Sequence, residues 1–287
     1  MPPSPRPRPR PPSKGGRAVS RGTPARGGAG RTSGPTASAE ARGDKARPAS
    51  DGPRDKVPRE TDPSLGVAEP RPAVAEQAFG DRLPLAERFA AHLCTTGVEW
   101  GLIGPREVPR IWSRHILNCA IVSELVSPDA SVIDVGSGAG LPGLALLIAR
   151  PDLRMTLVEP FERRTDWLAM VAGDLGLDVR IVRARAEEVV GDESAAVVTA
   201  RAVAPLERLA RWGLPLVEPN GELLAIKGRT AQQEVDSSLK QLRRLGATDV
   251  SVVQCGVGLL ETPTTVVRVS ASGRSTSPGG ARRGSRS

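Results

Sequence analysis

Apolar positions recur along this chain with two periods, and the switch between them marks out the elements. Over residues 83–95, Leu85, Phe89 and the His92–Leu93 pair fall three and four apart, which predicts an amphipathic helix. Gly101-Leu102-Ile103-Gly104-Pro105 interrupts it. A second helix is predicted over 107–125, with Ile111, Trp112, His115, Ile116, Cys119, Val122 and Leu125 along one side. Pro109 sits in its first turn, where a missing N–H is tolerated. From there strand and helix patterns alternate: strands over 131–135, 155–158, 178–182, 195–199 and 222–226, helices over 144–148, 163–172, 206–212 and 231–245. Such alternation predicts a parallel sheet covered on both faces. Two further β-rich runs, 249–254 and 264–269, are separated only by residues 255–263. That link is too short for a parallel crossover and predicts an antiparallel hairpin.

Composition divides the 287 residues into a body and two tails. Residues 1 to about 75 are Pro, Arg, Gly, Ser and Ala with almost no large apolar side chains, and predict a disordered segment. Eight Lys/Arg and no acid occur through Ala39, and residues 271–287 hold four more arginines, again without an acid. Against a net charge of +8 for the whole chain, the remainder is mildly acidic, so the basic character belongs to the ends. The expected organisation is a tail over 1–78, one domain over 79–270 (a helical cap, 79–127, then a core, 128–270) and a tail over 271–287. The long tail reads as a solvated extension, as a polyelectrolyte arm for RNA phosphates, or as the product of a misplaced start codon. No stretch is apolar enough for a membrane span or signal peptide. Cys94, Cys119 and Cys255 are scattered and only His92 and His115 accompany them, so neither a disulfide scaffold nor a metal site is expected. A cytoplasmic monomer is the expectation.

The chemistry concentrates where the first strand ends. Residues 131–143 read Ser-Val-Ile-Asp-Val-Gly-Ser-Gly-Ala-Gly-Leu-Pro-Gly: a strand, a glycine turn and the start of a helix. Gly136, Gly138 and Gly140 let the backbone approach a ligand at positive φ, and the helix N-terminus offers free N–H donors. Gly138-x-Gly140-x-x-Gly143, with Glu159 closing the next strand, also satisfies the dinucleotide fingerprint. Asp134 decides between the two cofactor classes. A carboxylate there would repel a pyrophosphate and suit the cationic amino-acid end of S-adenosylmethionine, so the stretch resembles the class I methyltransferase signature. The expected fold is α/β: a Rossmann-like, doubly wound, mostly parallel sheet with a C-terminal antiparallel hairpin.

Longer motifs narrow the resemblance. Residues 101–120 (GLIGPREVPRIWSRHILNCA), the loop 134–143, Arg183-Ala-Arg-Ala-Glu-Glu188, Thr199-Ala-Arg-Ala202 and Leu224-Ala-Ile-Lys-Gly228 occur in order. Together they resemble the bacterial 16S ribosomal RNA guanine-N7 methyltransferases (the RsmG, or GidB, family) over about residues 80–270. The resemblance implies transfer of a methyl group from S-adenosylmethionine to guanine N7 in the small ribosomal subunit. It implies cofactor contacts at Gly136 and Leu141, Ala186 and Glu187 beside the adenine, and Arg201 lining the site. Asp134, Gly138 and, on the ribose, Glu159 follow from the general class I pattern. Arg163 and Arg164 stand where relatives often carry lysines. They, Arg201, Lys227 and His115 are the candidate RNA contacts, His115 being the one most easily read instead as a packed residue.

Guanine N7 has an in-plane lone pair and no proton, so its methylation needs alignment rather than a general base. No catalytic acid or base is therefore expected. Consistently, the loop after the fourth strand lacks the Asn/Asp-Pro-Pro-aromatic motif of amine methylation, and neither Cys119 nor Cys255 falls where a pyrimidine-attacking thiol belongs. The alternatives are a class I methyltransferase acting on a small molecule, and a cofactor-binding RNA module without turnover.

Overall fold

A computed structural model describes residues 67–201 and 204–271; the tail segments 1–66 and 272–287 lie outside the described residues. The N-terminal boundary differs from expectation. Residues 67–78, assigned to the tail, join the body through α1 (Val74–Phe79), which buries Ala75 and Phe79. Two apolar residues four apart in a Pro- and Glu-rich stretch are too weak a pattern to read as a helix. Ahead of α1, the Glu69 carboxylate accepts hydrogen bonds from the Trp112 N–H (3.0 Å), the Ser113 N–H (2.9 Å) and the Ser113 hydroxyl (3.1 Å).

Helix α2 (Leu83–Cys94) buries Ala86, Phe89, Ala90 and Leu93, one face at helical spacing, and the short α3 (Thr96–Glu99) follows. The continuous helix expected over 107–125 is instead four pieces. Pro105–Arg110 is a 3₁₀ turn, Ile111–Ile116 a π-helical turn, α4 (Leu117–Ala120) a single α turn and Ile121–Leu125 a second 3₁₀ turn. Pro109 removes a donor and loosens the first piece. In the next, the Leu117 N–H reaches back five residues to the Trp112 carbonyl. The apolar residues still face inward, because a local change of winding hardly rotates a face only five turns long.

The sheet is built from β1 (Ser131–Val135), β2 (Arg154–Val158), β3 (Arg180–Val182), β4 (Ala195–Arg201), β5 (Val217–Lys227), β6 (Ala247–Cys255) and β7 (Thr264–Ala271). Its order is β3-β2-β1-β4-β5-β7-β6. The first five strands are parallel; β7 runs antiparallel between β5 and β6, as the short link required. Helices α5 (Gly143–Ala149) and α6 (Glu162–Leu175) share one core with α1, α2 and the 105–125 pieces. Helices α7 (Leu206–Gly213) and α8 (Ala231–Arg244) bury the other face. The segment expected as a cap is therefore part of one helical layer against the sheet. Trp112 and Trp167 are buried in that layer, and the Trp167 indole N–H is satisfied by the Thr96 hydroxyl at 3.0 Å. Strand order reverses between β1 and β4, which opens a crevice at their carboxyl ends.

Candidate functional site

The crevice is walled by the glycine turn. Gly136, Gly138 and Gly140 have φ of 70°, 53° and 74°, the left-handed region that side chains resist. A Cβ on Gly138 would meet nothing closer than 3.8 Å, so its missing side chain leaves the turn bare toward the crevice. Gly143 is required for another reason: a Cβ there would stand 2.4 Å from Leu157 and 2.8 Å from the Asp134 carboxylate.

Two acids hold the turn from below. Asp134, fully buried, accepts the Gly143 N–H at 3.0 Å, while its other oxygen, Oδ1, has no protein partner. Burial raises its pKa from 3.8 to about 7, against the pull of the Gly143 hydrogen bond. Thr199, its neighbour in the β1–β4 register, has an equally orphaned hydroxyl. Glu159 is 1% exposed and accepts the Gly138 N–H at 3.0 Å and the Phe161 N–H at 3.2 Å. Both carboxylates thus shape the loop through its own backbone donors.

Three hollows meet here. The first, about 470 Å³, is lined by Gly136, Pro160, Phe161, Arg183, Ala186, Glu187 and Trp212 among others. The second, about 410 Å³, shares Gly136, Pro160 and Phe161 with it and adds Ile103, Gly138, Leu141, Glu159, Arg164 and Arg201. The third, about 650 Å³, is lined by Glu107, Arg114, His115, Asn118, Arg201, Lys227, Arg229 and Glu234 with neighbouring backbone. Arg201 lines both the second and the third.

Most of the residues expected from the sequence therefore converge: Gly136, Gly138, Leu141, Glu159, Ala186, Glu187, Arg164 and Arg201 around the first two hollows, His115 and Lys227 around the third. Asp134 lies beneath the loop and lines none of them. Arg163 also falls outside, its guanidinium 5.9 Å from the centre of the Trp100 ring, while Arg164 stacks over Phe161 at 4.9 Å. Lys227 lines its hollow, but its side chain is only 8% exposed. Its ammonium donates to the Ala204 carbonyl at 2.7 Å and the Glu234 carboxylate at 2.9 Å, which ties β5 to α8. Phe161, Trp212, Glu107 and Glu234 were not singled out by pattern. The 60% exposure of Phe161 is the one anomaly that marks it, and periodicity carries no exposure.

Neither buried cysteine offers a nucleophile. Cys119 and Cys255 are buried and burial pushes both thiols up to about 11. No cluster of His, Cys, Asp or Glu able to hold a metal occurs among the described residues, and none of their helices is long and apolar enough to cross a membrane.

Comparison with known proteins identifies the family. The sequence profile described as rRNA small subunit methyltransferase G matches residues 82–261. A protein from Renibacterium salmoninarum named ribosomal RNA small subunit methyltransferase G is 55% identical over 207 residues, 71% of this chain and 96% of that one. The chain belongs to the rRNA small subunit methyltransferase G family. A protein of the same name from Rhodococcus jostii is 58% identical, with 68% of this chain and 88% of that one covered. Another from Streptomyces coelicolor is 53% identical, over 74% and 89%. Among solved structures, a methyltransferase from Pyrococcus furiosus aligns at 13% identity with a TM-score of 0.44, over 55% of this chain and 82% of that one. The cofactor of the family is S-adenosylmethionine. Three features fit it: a turn left bare at Gly138, a carboxylate edge at Glu159, and an unpartnered acceptor on Asp134 beneath the turn.

Proposed function

We propose that this chain transfers the methyl group of S-adenosylmethionine to N7 of a guanine in 16S rRNA of the small ribosomal subunit. The proposal extends to a monomeric protein working in the cytoplasm. When bound, the cofactor supplies an electrophilic methyl group on a sulfonium. The first hollow would take its adenine beside Ala186 and Glu187, and the second its ribose and amino-acid portions between Glu159 and the glycine turn.

The observation that carries this reading is the junction at Arg201, where the cofactor side opens onto the third hollow with no free base beside it among the described residues. The side chains at the junction that could act as bases are engaged: His115 between Arg201 and Glu107, and Glu234 with Lys227. Such a wall can orient a base but has nothing with which to deprotonate it. Guanine N7 asks for that and no more, because its lone pair is already free. The basic groups at the rim, Arg114 and Arg229, suit the phosphates on either side.

Incubation with labelled S-adenosylmethionine and small subunits from a strain lacking this activity tests the proposal. Label is expected in 16S rRNA. Label in small metabolites would replace the reading with a small-molecule methyltransferase, and cofactor binding without transfer would replace it with a binding module.

A further inference from the structure

The guanidinium of Arg201 is held from the π-helical turn by two contacts. Nη1 lies 3.4 Å from the Arg114 carbonyl and Nη2 lies 3.0 Å from His115 Nδ1. Across the imidazole, Nε2 is 2.8 Å from Glu107 Oε2. An arginine carries donors only and stays charged, so Nδ1 has to be the acceptor. The ring proton is then on Nε2, donated to Glu107, and one neutral tautomer satisfies the whole chain. Three separate pieces supply it: the 3₁₀ turn Pro105–Arg110, the π-helical turn Ile111–Ile116 and β4.

The charged groups around this imidazole are Glu107, Arg201 and, more distantly, Arg114. Lys227 and Glu234, paired with each other, belong to the wall of the same hollow. Burial and the Arg201 charge hold His115 below the usual imidazole range, and Glu107 opposes them only in part. Glu107 stays ionised: burial pushes its carboxyl up, but its hydrogen bond to His115 and the nearby arginines bring it below the ordinary glutamate value.

We propose that Glu107 and His115 are positioning residues that aim the remaining N–H groups of Arg201 at an anionic oxygen where the second and third hollows meet. The inference rests on the methyl-transfer reading above. The oxygen has two sources of the same chemistry, a phosphate of the target nucleotide or the carboxylate of the methyl donor. Protonation of His115 would set an N–H against the Arg201 N–H and release the guanidinium, so the device works only while the ring is neutral.

The test uses the full chain with His115→Ala, His115→Asn and Glu107→Gln. In His115→Asn the amide oxygen falls near the place of Nδ1 and accepts from Arg201, but nothing is left to titrate. His115→Ala is expected to lower kcat/KM for methyl transfer into small-subunit rRNA by about a hundredfold, the scale set by misplacing a positioned group. His115→Asn is expected to recover most of that loss, and Glu107→Gln, which keeps an acceptor, to lose only severalfold. The rate of the wild type should fall on the acid side of the ordinary imidazole range, and this acid limb should vanish in His115→Asn. If phosphate is the anion, KM for the RNA rises in His115→Ala while S-adenosylmethionine affinity by calorimetry holds; if the carboxylate is, affinity falls and KM for RNA holds. Equal losses in the Ala and Asn variants with the acid limb intact would overturn the relay and leave His115 a packing residue. Wild-type rates in both variants would overturn it as well. A wild type that moves no methyl group into RNA removes the functional reading and the inference with it, an outcome distinct from either of the others.

Discussion

The two sides of the crevice are built on different principles. On the cofactor side the polar framework is backbone: the N–H groups of Gly138 and Gly143 are fixed by Glu159 and Asp134, and the side chains that would intrude are missing. On the side of the third hollow the framework is side chains, a Glu107–His115–Arg201 chain and a Lys227–Glu234 pair. A backbone-built site is shaped for one small ligand and leaves a buried acceptor over, Asp134 Oδ1. A site built of paired charges has already satisfied most of its groups, so its cations serve orientation, and Arg229 stands exposed on its wall. The contrast teaches that a charged residue beside a substrate hollow is not thereby a substrate ligand.

The largest expected effect falls on the backbone side. Asp134 titrates near 7 in the fold against 3.8 ordinarily, so the native state keeps a proton that the unfolded chain has released. Its stabilising contribution is complete below about pH 4 and is lost as pH rises to about 7, a change of up to roughly 4 kcal/mol. Urea titrations of wild type and Asp134→Asn across pH 4–8 check this: the wild type should lose ground to the variant as pH rises and hold level above 7.

Next comes Lys227→Ala, which breaks the pair with Glu234 and frees the Ala204 carbonyl. Removing one partner leaves the other unsatisfied, and about 2 kcal/mol of stability should go. Because the ammonium is already committed, the slope of RNA binding against log salt should not change. Arg114→Ala, by contrast, should reduce that slope by about one.

Gly143→Ala separates propensity from packing. Alanine is the better helix former by about 1 kcal/mol, but its Cβ would fall 2.4 Å from Leu157. Overpacking should win, with a net loss of about 1–2 kcal/mol in urea unfolding and weakened S-adenosylmethionine binding. The smallest effect belongs to Arg163→Ala. An exposed side chain resting on Trp100, outside all three hollows, should shift stability by less than about 0.5 kcal/mol and leave cofactor affinity untouched.

The same contrast explains what the sequence made legible. Backbone devices announce themselves locally: three glycines and an acid within seven residues, or two strands with too short a link between them. The parallel sheet, the terminal hairpin and the glycine turn follow from such signals. Side-chain networks do not, because their partners come together only in the fold. Glu107 lies eight residues before His115, and the two meet because a 3₁₀ turn and a π-helical turn replace the α-helix that the periodicity predicts. Lys227 resembled a phosphate ligand because its position at the end of β5 was legible and Glu234, seven residues on in α8, was not connected to it. The loop motif places Asp134 at the turn but does not show that its carboxylate lies beneath the loop and holds the Gly143 N–H.

The account stands or falls on the atom that is methylated. Small subunits treated with the full chain and S-adenosylmethionine should be digested to nucleosides and resolved by mass spectrometry. The result expected is 7-methylguanosine from 16S rRNA. A methyl group found instead on an exocyclic amine or a ring carbon would contradict it, since those atoms demand a base or a nucleophile that the described residues at the Arg201 junction do not supply.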